Sequence, residues 1–163
     1  MRRNVDALIA GVRSAVDGHA DWARTAELVA GQLRRHLPAL RHLADEPHTR
    51  RLHIEPDGTF SVLALVWQPG QVTRIHDHVT WCAFGVVHGI EREELFDEDL
   101  NPVGVNVNHP GDVSGFAPPG DIHRLHNVTD ETAVSIHVYG TDVSRIGSSV
   151  RRYYDVGSTS LRL

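Results

Sequence analysis

His76 and His78 stand one residue apart in the stretch 70–89, GQVTRIHDHVTWCAFGVVHG. On a β-strand, side chains i and i+2 share a face, so the two imidazoles would lie side by side within reach of one cation. Helical histidine pairs solve the same problem at i, i+4. One such pair carries little weight in a chain with 12 histidines. The flanks carry more. Gly70 lies six residues before His76, and Gly89 lies eleven after His78. Downstream, Pro118, Gly120, His123 and Asn127 offer a third imidazole in a turn-then-strand setting. The chemistry this pattern points to is metal binding by His76, His78 and His123.

A second constellation is Ser135-Ile136-His137-Val138-Tyr139. Ser, His and Tyr at i, i+2 and i+4 share one strand face, with Ile136 and Val138 on the other. A hydrogen bond from Ser135 can orient the imidazole, and His137 can hold the Tyr139 hydroxyl toward a metal. The order of the three makes this a relay that fixes a phenol rather than a nucleophile triad. The one cysteine, Cys82, lies inside the first stretch. An intramolecular disulfide is therefore impossible, and a cytoplasmic setting fits.

To position these residues the chain must build strands from about residue 49. Arg50–Ile54 and Thr59–Trp67 are separated by the turn Glu55-Pro56-Asp57-Gly58. Strands are predicted over Val72–Ile75, Trp81–Val87 and Ile90–Phe96, then near Val103–Asn108 and Asp112–Ala117, and finally over His123–Asn127 and Thr132–Tyr139. Many short strands punctuated by Gly and Pro mean an antiparallel barrel or sandwich. Residues 4–44 read as a helical pair packed outside it. Val5, Leu8, Ile9, Val12 and Val16 recur at helical spacing, Gly18 ends the first helix and the second begins near Asp21. The polar tail 144–163 is expected to wrap the barrel. One domain over 1–163 is the reading, with a helical segment 1–46, a β-barrel 47–142 and a tail 143–163.

Composition narrows the function classes. A formal net charge of −5 with no basic stripe gives nucleic-acid binding no electrostatic support. The longest apolar runs, such as Val62–Trp67, are too short to span a bilayer as a helix. Met1-Arg2-Arg3 leads into a polar stretch rather than an apolar one, so no signal peptide is expected. Trp67, Trp81, Phe84 and Phe96 read as barrel packing, with Trp81 also a candidate for the pocket. His88, His109 and His126 read as solvent or turn residues. The acidic run Glu91, Glu93, Glu94, Asp97, Glu98 and Asp99 reads as a solvated hairpin end.

The glycine and histidine spacings resemble the two motifs of the cupin superfamily, small β-barrels with a metal in the barrel mouth. Gly70, His76, His78 and Gly89 match the first motif, and Pro118, Gly120, His123 and Asn127 match the second. Cys82 stands where the first motif carries a glutamate ligand. The resemblance implies a mainly β chain, a single cupin of antiparallel jelly-roll type with N-terminal α-helices. Losing the glutamate leaves three neutral imidazoles, a metal with its full 2+ charge and about three open positions. Such a site attracts an anionic chelating ligand, for instance a thiolate with a neighbouring amine.

With the Ser-His-Tyr face added, residues 49–139 resemble the thiol dioxygenase family, which includes cysteine dioxygenase and 3-mercaptopropionate dioxygenase. That resemblance implies Fe(II) held by His76, His78 and His123, and a relay of Ser135, His137 and Tyr139. In animal-type members a cysteine at the Cys82 position forms a thioether with the relay tyrosine, and many bacterial members carry glycine there, so the resemblance leaves a Cys82–Tyr139 crosslink open. The partners implied are O2 and a small carboxylated thiol, L-cysteine first, in a monomer or small homo-oligomer. Cysteine-specific members use a Tyr-Thr-Arg segment, matched here by His48-Thr49-Arg50, so Arg50 takes the substrate carboxylate. The 3-mercaptopropionate enzymes carry an arginine after the relay strand, and Arg151 and Arg152, followed by Tyr153-Tyr154-Asp155, offer a looser counterpart, Arg152 being the second candidate. A 3-mercaptopropionate enzyme, another cupin oxygenase and a non-catalytic metal-binding cupin stay open as alternatives.

Overall fold

The structure is a computed structural model that describes residues 2–17, 21–45 and 47–154. Two helices, α1 (Arg2–Val16) and α2 (Trp22–His36), lead into a 3-10 segment, Leu37–Asp45. Asp21 caps α2, its side chain accepting from the Arg24 backbone N–H at 2.7 Å. The predicted end of α1 at Gly18 falls outside the described residues, as does Asp155.

Strands follow: β1 (Arg50–Ile54), β2 (Ser61–Trp67), β3 (Ile75–His78), β4 (Cys82–His88) and β5 (Glu91–Phe96). After them come β6 (Pro102–Asn108), β7 (Val113–Phe116), β8 (His123–Asn127) and β9 (Ala133–Tyr139). A short helix, α3 (Val143–Ile146), precedes β10 (Val150–Tyr154). Two five-stranded antiparallel sheets result, in the orders β1-β2-β9-β4-β7 and β10-β3-β8-β5-β6. The chain is thus mainly β with N-terminal helices, the single cupin that the spacing implies. Among the described residues no helix is long and apolar enough to cross a membrane.

Alternation along the strands decides what each face does. Val62 and Ala64 of β2, Ala83 of β4, and Val134, Ile136 and Val138 of β9 turn outward into a core shared with Leu8, Val12, Val29 and Leu33 of the helices. The fit is close: a Cβ at Gly115 in β7 would lie 2.6 Å from the Ala26 carbonyl oxygen of α2. The opposite face of the same sheet carries Trp67, Phe84 and Phe116, which meet Leu125 of the second sheet in the interior. Gly89 closes the β4–β5 turn at φ +78°, and a Cβ there would strike Ala133 at 2.6 Å. No other residue type suits that position.

Two departures from the sequence reading bear on the site. The strand predicted at Val72–Ile75 begins at Ile75 and carries both histidines within it. The tail does not simply wrap the barrel, because Val150–Tyr154 adds to the second sheet beside β3. Its run Val-Arg-Arg-Tyr-Tyr lacks the strict alternation that marks a half-buried strand.

Candidate metal centre

His76 of β3 lies directly opposite His123 of β8, and His78 shares the face of His76. The three ring centroids form a triangle with sides of 4.9, 4.7 and 5.0 Å. Each ring offers a ligand atom within 4.8 Å of the others, and all three residues are buried. The predicted trio is therefore assembled from two neighbouring strands.

What lies behind the rings fixes which nitrogens face inward. His76 Nδ1 lies 2.8 Å from the Arg74 carbonyl oxygen, His78 Nδ1 3.1 Å from Asp121 Oδ2, and His123 Nδ1 2.8 Å from Glu93 Oε1. A carbonyl or carboxylate only accepts, which assigns the proton of each neutral ring to Nδ1 and the lone pair to Nε2. His123 Nε2 is buried without a partner, an acceptor that a cation would satisfy. Burial, and then the neighbouring His123, pulls His76 down to about 3, so its ring stays neutral and ready to ligate. Burial likewise lowers His78, against the opposing pull of Asp121. Three convergent imidazole nitrogens fit a first-row transition cation.

Glu93 and Asp121 are the functional residues that the sequence reading missed. Glu93 is 1% exposed, so the acidic run is not wholly a solvated hairpin end. Glu91, Glu93 and Leu95 alternate onto one face of β5, and both glutamates turn into the barrel. Burial pushes the Glu93 carboxyl up, but its contacts with His123, Asn106 and Ser114 together outweigh it and hold it below its ordinary value. Asp121 shows the same balance, with His78 donating to it from both backbone and ring. The imidazoles thus do not leave a cation's 2+ charge undiminished, as the neutral trio suggested. Two carboxylates sit directly behind them, the arrangement that fixes ring orientation and raises ligand basicity.

On β9 the Ser-His-Tyr face is a continuous hydrogen-bonded chain. Ser135 Oγ lies 3.0 Å from His137 Nε2, and the Tyr139 hydroxyl lies 3.1 Å from His137 Nδ1. Trp67 Nε1 donates to Ser135 Oγ at 3.0 Å, so Trp67 is more than packing. Phe84 stacks on His137 with centroids 5.1 Å apart. Burial, reinforced by the three other imidazoles, drives His137 far down, and burial drives the Tyr139 phenol far up. Cys82 of β4 faces Tyr139 across the ladder, and burial raises its thiol. Cys82, His137, Tyr139 and the three histidines line one cavity, walled further by Leu65, Trp67 and Phe116. At about 40 Å³ it has room for a few water-sized groups beside the rings. Trp81 packs in the helix-covered core and does not line it.

Neither candidate arginine lines this cavity. Arg50 faces Ala64, which is buried in the helix-covered core, and lines a separate cleft with Arg2, Val5, Asp6 and Ile9. Arg152 faces Asp77 in the β10–β3 ladder. Its Nη2 lies 3.3 Å from Asp77 Oδ2 and donates to the Tyr154 hydroxyl at 2.5 Å. Arg151 pairs with the same Asp77 oxygen. Spacing along the sequence brought these arginines near the site strands but could not say which side of each strand they occupy.

Residues 39–152 match the family described as cysteine dioxygenase type I. Over 101 residues the chain is 32% identical to cysteine dioxygenase type 1 of Danio rerio, covering 56% of this chain and 50% of that protein. Over 100 residues it is 28% identical to the same enzyme of Rattus norvegicus, with the same coverage. The chain spans about half the length of these curated relatives. Among solved structures it is similar to an oxalate decarboxylase of Bacillus subtilis, with a TM-score of 0.48 and 19% identity over 57% of this chain and 24% of that one. It is also similar to an oxalate oxidase in complex with glycolate, with a TM-score of 0.45 and 17% identity over 52% of this chain and 43% of that one.

Proposed function

The chain belongs to the cysteine dioxygenase type I family, and from that membership we propose that it is an iron-dependent thiol dioxygenase. Its reaction would add both atoms of O2 to the sulfur of a small carboxylated thiol, L-cysteine, giving the sulfinate and releasing the thiol proton. The observation that carries the reading is the three-imidazole cluster, joined by no carboxylate ligand among the described residues, sharing one cavity with His137 and Tyr139 of the Ser135–His137–Tyr139 chain.

His76, His78 and His123 would hold Fe(II) through Nε2. Iron bound there would supply the redox chemistry that joins O2 to a thiolate sulfur, and its charge would favour binding the thiol as thiolate. Glu93 and Asp121 keep the rings from turning. Tyr139, fixed by His137, presents its hydroxyl to the atoms that react, and a donor placed in advance needs no reorganisation at the moment of reaction. Leu65, Trp67, Phe116 and Leu125 keep bulk water out. The small cavity suits a ligand whose sulfur alone reaches the rings.

The carboxylate anchor is proposed as Arg50, on the strength of the His48-Thr49-Arg50 segment and of β1's place beside β2, whose Leu65 and Trp67 line the cavity. Reaching a substrate from its cleft requires the side chain to swing toward the cavity mouth. We further propose a thioether between Cys82 Sγ and the Tyr139 ring. Its formation removes the thiol hydrogen and one ring hydrogen and passes two electrons to O2.

The test is O2 uptake by the iron-loaded chain with cysteine, cysteamine and 3-mercaptopropionate, with the product identified. Stoichiometric cysteine sulfinate supports the proposal. Preference for 3-mercaptopropionate would move the substrate, and tight metal binding with no O2 consumed would make the chain a binding protein.

A further inference from the structure

Thr73 lines the histidine cavity, and the proposed chemistry gives it no task. The other polar groups of that cavity are already engaged. Three imidazoles offer ligand atoms to one point, Trp67 Nε1 donates to Ser135, and His137 sits between Ser135 and Tyr139. Among the described residues that line it there is no lysine or arginine. The metal trio and His137 are buried, whereas Thr73 is half-buried and so stands at the rim.

Two hydrogen bonds tie Thr73 to β8. Its backbone N–H donates to the Leu125 carbonyl at 2.9 Å, and its Oγ1 accepts from the Leu125 N–H at 3.0 Å. Neither bond uses the hydroxyl hydrogen. Threonine is stiff at χ1, and the bond to Oγ1 holds the side chain further, so the hydroxyl is a donor placed in advance. The Leu125 N–H also polarises it, since an oxygen that accepts one hydrogen bond gives its own hydrogen more strongly. Leu125 shares a strand face with the ligand His123, two residues and about 7 Å back along β8. That span is comparable with the reach of a three-carbon thiol held at the rings by its sulfur.

We propose that Thr73 is a substrate-binding residue whose hydroxyl donates to the carboxylate of the bound thiol, and that it thereby favours carboxylated thiols over those that carry only an amine. The proposal rests on the thiol dioxygenase reading, which puts the sulfur at the imidazoles. At about 40 Å³ the cavity holds the sulfur and little more, so the far end of a bound thiol leaves past the rim. A carboxylate there meets an O–H backed by a backbone N–H, two dipoles whose positive ends favour an anion. An ammonium group would meet the same dipoles with the wrong sign. A carboxylate has about four acceptor sites, so its contact with Thr73 leaves room for Arg50 to reach the same group from outside. Thr73 would then select by geometry and Arg50 by charge.

The test uses the full chain loaded with Co(II) and kept free of O2, titrated with 3-mercaptopropionate, L-cysteine and cysteamine. A thiolate bound to Co(II) gives a sulfur-to-metal charge-transfer band, so binding is read without turnover. Thr73→Val keeps the branched shape and lacks the hydroxyl. It should bind the two carboxylated thiols at least about tenfold more weakly than wild type, and cysteamine within about threefold. Thr73→Ser, which keeps the donor, should stay within about threefold of wild type for all three. If Thr73→Val does not fold, Thr73→Ala removes the same hydroxyl and takes its place. Either variant also leaves the Leu125 N–H without its acceptor, and a purely structural loosening would weaken all three thiols alike. That result overturns the proposal, as does unchanged affinity for the carboxylated pair or a loss confined to cysteamine. A variant that matches wild type while each thiol gives the band removes Thr73's part alone. A wild type that gives no band with any thiol removes the thiol reading as well.

Discussion

Cys82 and Tyr139 stand directly opposite one another across the β4–β9 ladder, both on the wall of the histidine cavity. Direct cross-strand partners have Cβ atoms about 5 Å apart, close enough for a sulfur to meet the edge of the phenol ring. Oxidised, iron-loaded protein should therefore lose the mass of two hydrogen atoms, with Cys82 and Tyr139 recovered in one linked peptide. Cys82→Ser and Tyr139→Phe should each abolish the loss. Tyr139→Phe should also lower kcat about 10²-fold, the usual effect of removing one aligned donor. Unmodified peptides from fully active protein would rule the crosslink out.

The carboxylates behind His123 and His78 should matter to metal retention without touching metal. Glu93→Gln and Asp121→Asn are each expected to weaken metal affinity about 10- to 100-fold, measured by competition with a chelator. His76→Ala, which removes a ligand outright, should do worse than either. Equal affinity in Glu93→Gln and wild type would mean that the His123–Glu93 contact does not support the ligand.

Arg50 and Arg152 can be separated by kinetics. Arg50→Ala should raise KM for a carboxylated thiol at least about tenfold, the worth of one charge-assisted hydrogen bond, and should leave KM for cysteamine unchanged. Arg152→Ala removes one of two arginines from Asp77 and should leave KM for both thiols within about a factor of two. The reverse pattern would transfer the anchor to β10.

Glu91 also predicts a slope in stability. Its carboxyl is raised from 4.5 to about 7 in the folded chain. Between those values the unfolded chain has released this proton and the folded chain has kept it. Stability due to this group is therefore present in full below about pH 4.5, falls as pH rises, and is gone above about pH 7, a swing of about 3 kcal/mol. Denaturant unfolding of wild type and Glu91→Leu at both ends of that window should diverge by this amount. Parallel curves would place the carboxyl in a more solvated setting.

The parts of the site set by short spacing were legible in the sequence. His-x-His on a strand, Ser-x-His-x-Tyr on another, and the Gly and Pro punctuation each follow from a period of two and from turn geometry, which need only a few residues at a time. The strand bounds of β1 and β8 follow from the same signals. Register is what local reading cannot supply. Glu93 reaches His123 across 30 positions and Asp121 reaches His78 across 43. An acidic segment looks solvated until its partner strand is known. Nor could local reading say which side of β1 Arg50 occupies, because that depends on its pairing with β2. β10 was hidden because two adjacent arginines broke its alternation, and their charge is answered by Asp77 on a strand 74 and 75 positions away.

Two carboxylates lie buried beneath His78 and His123, answered among the described residues by N–H groups of those two histidines and by Asn106 and Ser114, none of them a Lys or Arg. Without a cation above them, that side of the barrel interior is a seat of uncompensated negative potential. Loading the ion makes the interior electrically quiet, so occupancy strengthens the whole fold by mass action. The empty chain should be cut faster by proteases than the loaded one, and supply of the ion then governs how long each copy survives as well as what it can do.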